Sequence, residues 1–335
     1  MQGHRRVWSI IRVLATITMF VALVSRVDLD TILPDWDPTH VGWLVLALLV
    51  TLAGILLASL RWQRVLSALD LRSRMPRLLS TYLAGLFISN FLPSTIAGDA
   101  LRVSRISSDT GEAPRTFASV VLERLSGWAV LPLLTLAALV INPTLLHLPG
   151  GDRPIRVAII VSVVTLFLLL AVLMAAGHPN LGGRLDSHTG WKRFTGAIYL
   201  GVDRFRHRPK VAVQVLAAGL AYQLAVVAAA FAAGHALGLA VGWTAFMAFM
   251  PVVAIVQVLP FPTIGGLGLR EGALVLFLAP LGVNQSHAIA LGLMVYGINL
   301  TVSLLGAPAF AIGRRGPTGG ARTVAAVTAI PAITG

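Results

Sequence analysis

The sequence predicts an all-α integral membrane protein of about six full spans plus two broken, re-entrant hairpins in an inverted-topology repeat. Three observations predict it. The 335 residues are 56% hydrophobic and only 12% charged, with mean hydropathy +0.83, where soluble domains carry about 25% charged residues. Apolar runs long enough to cross a bilayer, about 20 residues each, fall near 7–25, 41–60, 117–142, 155–176, 211–235 and 286–312. Finally, the phrase T-I-x-G-x-x-L-R occurs twice, at Thr95–Arg102 and Thr263–Arg270, each time after a Leu-Pro (Leu92-Pro93 and Leu259-Pro260) that ends an apolar stretch.

Loop charges order these elements. His4-Arg5-Arg6 before the first apolar run looks like a signal-peptide start. Asp28, Asp30 and Asp35 follow it without a small-x-small cleavage site, so a retained first span is expected. The 25–40 loop sets Arg26 against Asp28, Asp30, Asp35 and Asp37 and reads as external; the 61–77 loop carries Arg61, Arg64, Arg72, Arg74 and Arg77 and reads as cytoplasmic. Segment 78–97 is followed by Arg102, Arg105 and Arg115, again cytoplasmic, and is too short for two spans. It should enter the membrane and return. The 143–154 loop reads as external. The 178–210 segment, with Arg184, Lys192, Arg193, Arg204, Arg206, Arg208 and Lys210, reads as cytoplasmic. Its Trp191, Phe194, Tyr199 and Phe205 among those bases predict an amphipathic helix on the inner leaflet.

Segment 243–282 should begin and end outside, as a hairpin or as two complete spans. Arg314, Arg315 and Arg322 put the C-terminus inside with the N-terminus. Residues 1–315 thus form one polytopic domain with halves of opposite orientation at about 41–142 and 211–312, and a Gly/Pro/Ala/Thr-rich tail at 316–335 is expected to be mobile.

Composition excludes several chemistries. With no cysteine there is no disulfide, thiolate metal site or Cys nucleophile. The eight histidines lack metal-ligand spacing, and zincin, nucleophile-elbow and P-loop motifs are absent. The net charge of +13, from 26 Lys+Arg against 13 Asp+Glu, sits in loops. It fits the positive-inside rule and anionic lipid rather than nucleic acid. No cofactor, metal or catalytic residue is expected.

The candidate substrate-binding residues gather at the two breaks. Pro/Gly-broken backbone inside a membrane is tolerated where it is buried in protein or lines a wet cavity. Half-helices starting after Gly98 or Gly266 would aim backbone N–H groups at an anion, with Gly265 and Gly268 as further binding candidates. Arg102 and Arg270, one turn on, could fork onto a phosphate. The competing reading has Arg102 snorkelling to the surface and Arg270 pairing with Glu271. Asp99 could pair with Arg102 or hold a proton or cation. Glu123 and Arg124 lie inside the 117–142 span, where a mid-bilayer charge costs roughly 2.5–3.5 kcal/mol. As sequence neighbours they point to different sides of a helix and need separate partners, with Arg102 or Arg270 expected for Glu123. Asn90 and Gln257 just precede the two Leu-Pro breaks; Tyr296 and Asn299 are weaker candidates.

Three motifs in this order, Asn90-Phe91-Leu92-Pro93 into Gly98-Asp99-x-x-Arg102, then Glu123-Arg124-Leu125-x-Gly127, then Pro262-x-x-Gly265-Gly266-Leu267-Gly268-Leu269-Arg270-Glu271-Gly272, resemble the lysylphosphatidylglycerol synthase transmembrane region family over about 10–315. This is the flippase-like domain of the bacterial multiple peptide resistance factor, also found alone and beside polyprenyl- or dolichyl-phosphate glycosyltransferases. Ala97-Gly98-Asp99 departs mildly from the family's Gly-Gly-Asp. A soluble aminoacyl-transferase domain is not expected here, which argues against aminoacyl transfer by this chain. The resemblance implies a flippase-like protein of the bacterial inner membrane that binds and translocates an anionic, phosphate-bearing lipid or a polyprenyl-phosphate-linked substrate. The alternatives are a non-transporting partner of a glycosyltransferase or lipid-modifying enzyme, and an integral-membrane transferase built on Glu123 and Arg124. The transporter reading expects Arg102 and Arg270 to approach one shared cavity.

Overall fold

A computed structural model describes residues 37–91, 97–147, 152–177, 191–257 and 268–312. Among these residues the chain is helical, without strands. In order come α1 (Pro38–Ala68), α2 (Met75–Phe91), α3 (Ala97–Thr110), α4 (Ala113–Ile141), a 3-10 turn (Pro143–His147), α5 (Arg153–Gly177), α6 (Trp191–His207), α7 (Pro209–Ala236), α8 (Trp243–Gln257), α9 (Leu269–Leu278), a second 3-10 turn (Ala279–Leu281), α10 (Gln285–Leu304) and α11 (Gly306–Ile312). Within the described residues, α1, α4, α5, α7 and α10 are long and apolar enough to cross a membrane. The expected span at 7–25, the Leu-Pro breaks, Gly265, Gly266 and the 316–335 tail lie outside the described residues.

Local chemistry starts and stops these helices. Asp37 caps α1 by accepting from Thr39 N at 3.2 Å, with Pro38 at the first helical position. Asn284 caps α10 through His287 N at 2.8 Å. Pro132 in α4 and Pro251 in α8 sit inside their helices. Both are buried, where neighbouring helices can re-satisfy the freed carbonyls.

Helix packing follows small side chains, because lipid supplies no hydrophobic drive between helices. α1 lies along α7, α4 packs on α8 and α7, and α10 packs on α2 and α1. At Gly54 a Cβ would stand 3.7 Å from the Ala225 Cβ, ordinary contact between α1 and α7. Phe246, Phe249 and Phe277 fill one core; Trp62, Leu66, Leu78 and Ile106 fill another. Outward-facing Leu133, Val140, Phe167 and Leu168 are exposed, as hydrocarbon-facing residues are.

The two broken regions form helical hairpins. Arg77, near the start of α2, donates to Asp109, near the end of α3, at 2.8 and 3.1 Å, so the two ends meet. The limbs touch at glycine: a Cβ on Gly98 would lie 2.4 Å from the Gly85 carbonyl oxygen and 2.2 Å from Ser89 Oγ. In the second hairpin Phe249 of α8 stacks on Phe277 of α9 at 5.0 Å. With 15 and 10 residues, α8 and α9 run about 22 and 15 Å at 1.5 Å per residue. Both fall short of the roughly 30 Å hydrocarbon core.

Three boundaries differ from the sequence reading. The first hairpin extends to Thr110, so Gly98, Asp99 and Arg102 belong to its returning limb. α1 continues to Ala68, which puts Arg61 inside a helix rather than in the 61–77 loop. Apolar Trp62, Val65, Leu66 and Leu69 carry the helical period past it. The run 286–312 breaks after Leu304, because Pro308 cannot accept the α-helical geometry against the carbonyl four residues back. The separate α11 packs on α2 instead, and Arg105 donates to its Ala309 and Phe310 carbonyls at 3.1 Å each.

α6 occupies the basic 178–210 segment and packs on α4 and α5, with Arg204, Arg206 and His207 in its last turn. Asp70, just after α1, accepts from Arg204 at 2.8 Å and from Arg208 at 3.2 Å. Those pairs bring the α1–α2 loop and the α6–α7 junction to one face of the bundle.

Candidate functional site

The larger of two charged clusters forms where α1, α3 and α4 converge. Glu123, 2% exposed, receives Arg61 of α1 on Oε1 and Arg102 of α3 on Oε2, the latter at 3.0 Å. Arg102 also reaches Asp99 Oδ1 at 3.4 Å, and the other Asp99 oxygen pairs with Arg124. Glu123 and Arg124, adjacent in sequence, thus serve different partners, as a 100° step round a helix requires. The cluster holds three guanidiniums against two carboxylates, an excess of one positive charge.

Aromatic rings and missing Cβ atoms position these charges. The Arg102 guanidinium carbon lies 4.1 Å from the centre of Trp62 and 4.5 Å from that of Tyr82. Such cation–π contacts strengthen as the cation is desolvated. Trp62 is held by its Nε1–H, which donates to Ser119 Oγ at 3.0 Å; Ser119 in turn donates to the Thr116 carbonyl at 2.7 Å. Arg61 stands over Tyr222 at 5.1 Å. Gly127, four residues after Glu123 and on the same helix face, leaves room for Arg61: a Cβ there would be 2.8 Å from Arg61 Nη1. Gly85 does the same for Arg102, whose Cγ would stand 3.2 Å from an added Cβ. Arg61 Nε and Nη1 and Arg102 Nε are buried and find no acceptor among the described residues. Buried donors of this kind are expensive to leave unmatched.

The second cluster is smaller and self-contained. Arg270 donates through Nε at 3.0 Å and Nη2 at 2.6 Å to the same oxygen of Glu271. The other Glu271 oxygen accepts from Gly268 N, which caps the start of α9. Gly268 has φ 87°, the left-handed region that favours glycine. A carboxylate in the first turn of a helix also meets the favourable end of the helix dipole. Arg270 lies 5.4 Å from the centre of Tyr296. Gly292 of α10 admits the carboxylate, since a Cβ there would come within 2.8 Å of Glu271 Oε1. Arg270 therefore takes the partner that the competing sequence reading assigned to it.

The remaining candidates are less engaged. Asn90 and Gln257 are half-buried in the last turns of α2 and α8. Asn299 bonds its own helix, donating to the Val295 carbonyl at 2.8 Å. Among the described residues no three His, Asp or Glu side chains assemble to hold a metal.

A cavity of about 70 Å³ lies between α1, α2, α7 and α10, with Gly54, Tyr82, Tyr222, Ala229, Val295 and Asn299 among its walls. Tyr82 and Tyr222 are the rings that carry Arg102 and Arg61, so the first cluster adjoins this cavity through two phenols. On α10, Val295 and Asn299 flank Tyr296, the ring beneath Arg270. Arg102 and Arg270 share no carboxylate, and neither lines the cavity itself.

A model of the lysylphosphatidylglycerol synthase TM region matches residues 9–306, most of the chain and both clusters. The chain belongs to this family. No curated protein matches it. The lysylphosphatidylglycerol synthase TM region is a membrane domain tied to lipid-related function. In this member, two of the three motifs end on a buried Arg–Glu pair resting on an aromatic ring, and the Glu-Arg-Leu-x-Gly motif supplies the carboxylate of the first pair and the gap that admits Arg61 beside it.

Arg61, Trp62, Tyr82 and Tyr222 were not legible as site residues in the sequence. The available signal was the helical period running through Arg61, which left an arginine flanked by Trp62 on a buried face.

Proposed function

We propose that this protein binds and translocates an anionic, phosphate-bearing lipid or a polyprenyl-phosphate-linked substrate across the membrane. The observation that carries the reading is the buried Arg61–Glu123–Arg102 cluster, with its excess positive charge and unmatched arginine donors. A phosphate entering beside Glu123 would meet two guanidiniums already held on aromatic rings. A pre-organised arginine fork is the arrangement that recognises phosphate oxygens.

In this reading the helices fall into two halves. α1, the α2–α3 hairpin and α4 correspond to α7, the α8–α9 hairpin and α10. The packing of α4 on α8 and of α10 on α2, about an α1–α7 contact, is what two such halves related by a two-fold would make. Both hairpins re-enter the membrane, and the face carrying Asp70, Arg77, Arg204 and Arg208 is cytoplasmic in a bacterial inner membrane. Arg102 and Arg270 then serve successive or opposed stages of head-group passage, with the lipid chains left in hydrocarbon.

Reconstitution into vesicles with head-group-labelled phosphatidylglycerol or polyprenyl phosphate tests this. Wild type is expected to exchange label between leaflets, and Arg102→Ala and Arg270→Ala to exchange it more slowly. Movement of neither lipid by wild type sinks the transport reading. Unchanged movement in both variants removes the two arginines from the site.

A further inference from the structure

A second apolar feature lies away from both charged clusters. α4, α5, α6 and α7 enclose an open crevice of about 280 Å³, with Leu122, Ala129, Leu169, Leu173, Phe205 and Leu216 among its walls. Ser126 contributes the one hydroxyl, already committed to the Glu123 carbonyl at 2.8 Å. The walls therefore offer nothing to a polar head group. Three of the four walls, α4, α5 and α7, are helices long and apolar enough to cross a membrane. An open apolar crevice between membrane-length helices suits hydrocarbon, since water there would find no partners.

The wall supplied by α6 runs on into residues of the opposite character. Val202 and Phe205 face the crevice, and the residues that follow are Arg206, His207, Arg208, Pro209 and Lys210, all exposed. Asp70 engages Arg204 and Arg208, and Asp203 faces His207 at 3.4 Å. Arg206 and Lys210 have no ion pair among the described residues. Apolar length ending in uncompensated positive charge matches a lipid whose chain ends in a phosphate, the complementarity by which basic residues at a membrane surface hold anionic lipids.

We propose that this crevice seats one acyl chain of an anionic phospholipid, with the phosphate at Arg206 and Lys210, as a bound structural lipid distinct from any transported one. The site does not involve Arg61, Arg102 or Arg270, so it stands or falls separately from the transport reading.

The test is the thermal unfolding of full-length protein in detergent with added phosphatidylglycerol, phosphatidylcholine or inorganic phosphate, alongside native mass spectrometry of retained lipid. Wild type should gain several degrees with phosphatidylglycerol, less with phosphatidylcholine and nothing with inorganic phosphate. One retained phosphatidylglycerol should be seen on each chain. Ala129→Phe with Ala212→Phe, which fills the crevice, should abolish the gain. Arg206→Glu with Lys210→Glu changes exposed side chains only and should reduce the phosphatidylglycerol gain toward that of phosphatidylcholine, which decides the matter even if the crevice variant does not fold. Equal response to both phospholipids in wild type, or an undiminished phosphatidylglycerol preference in the charge variant, overturns the proposal.

Discussion

Glu123 and Arg102 meet at 3.0 Å inside the bundle, joining the returning limb of the first hairpin to the middle of α4. The same carboxylate takes Arg61 on its other oxygen, so one anion ties three helices together.

That relationship predicts a large stability effect. Glu123→Leu leaves Arg61 and Arg102 buried without their shared anion, and removing one partner of a buried pair costs about 3–5 kcal/mol. Adding Arg61→Met to Glu123→Leu should recover part of the loss, because one stranded cation goes with it. Chemical or thermal unfolding in detergent, followed by tryptophan fluorescence, checks both variants.

Glycines in the two hairpins separate into two kinds. Gly98→Ala forces a Cβ to within 2.4 Å of the Gly85 carbonyl oxygen, so the α2–α3 limbs must part; overpacking of this sort costs about 1–3 kcal/mol. Gly272→Ala, in α9 with nothing within 4 Å of an added Cβ, should instead stabilise by about 0.5–1 kcal/mol through helix propensity. Opposite shifts of the unfolding midpoint are the expected result, although both glycines lie in family motifs.

Arg270 should tolerate replacement of its aromatic neighbour by degree. Tyr296→Phe retains the ring under the guanidinium and is expected to be near neutral. Tyr296→Leu removes a cation–π contact with a 4%-exposed arginine, worth about 0.5–2 kcal/mol. Arg270→Lys keeps the charge but not the two N–H groups that reach Glu271. Its stability should therefore fall below that of Tyr296→Phe in the same unfolding measurement.

The Arg77–Asp109 pair closes the base of the first hairpin, but its side chains are about 40% exposed. Asp109→Ala should consequently cost no more than about 1 kcal/mol. The small loss should shrink further in high salt, which screens exposed pairs. A salt-independent loss would mean that the pair acts by packing rather than charge.

Much of this architecture is written in local pattern. The candidate spans at α1, α4, α5, α7 and α10 lie where apolar runs reach membrane length, and Arg77 against Asp109 brings the ends of the first hairpin together. Helix ends were less legible. Arg61 looked like the first residue of a basic loop, yet Trp62, Val65 and Leu66 draw another two turns into the core. The break after Leu304 was also hidden, because Gly306 and Pro308 sit within a continuous apolar run and only the contact of α11 with α2 gives them a place.

The sequence alone determined a membrane domain with charged residues inside one of its spans, that Glu123 and Arg124 would need separate partners, and that Arg102 and Arg270 follow two Pro/Gly stretches. Those conclusions rest on hydropathy and on the angular step of a helix, which are local quantities. Partner choice is not local. Arg61 lies 62 residues from Glu123, and Arg102 lies 21 away. Their meeting depends on glycines at positions 85, 98 and 127 that let three helices close around one carboxylate. Where water is scarce each charge must find an opposite one, and which one it finds is decided by how closely the backbones can approach.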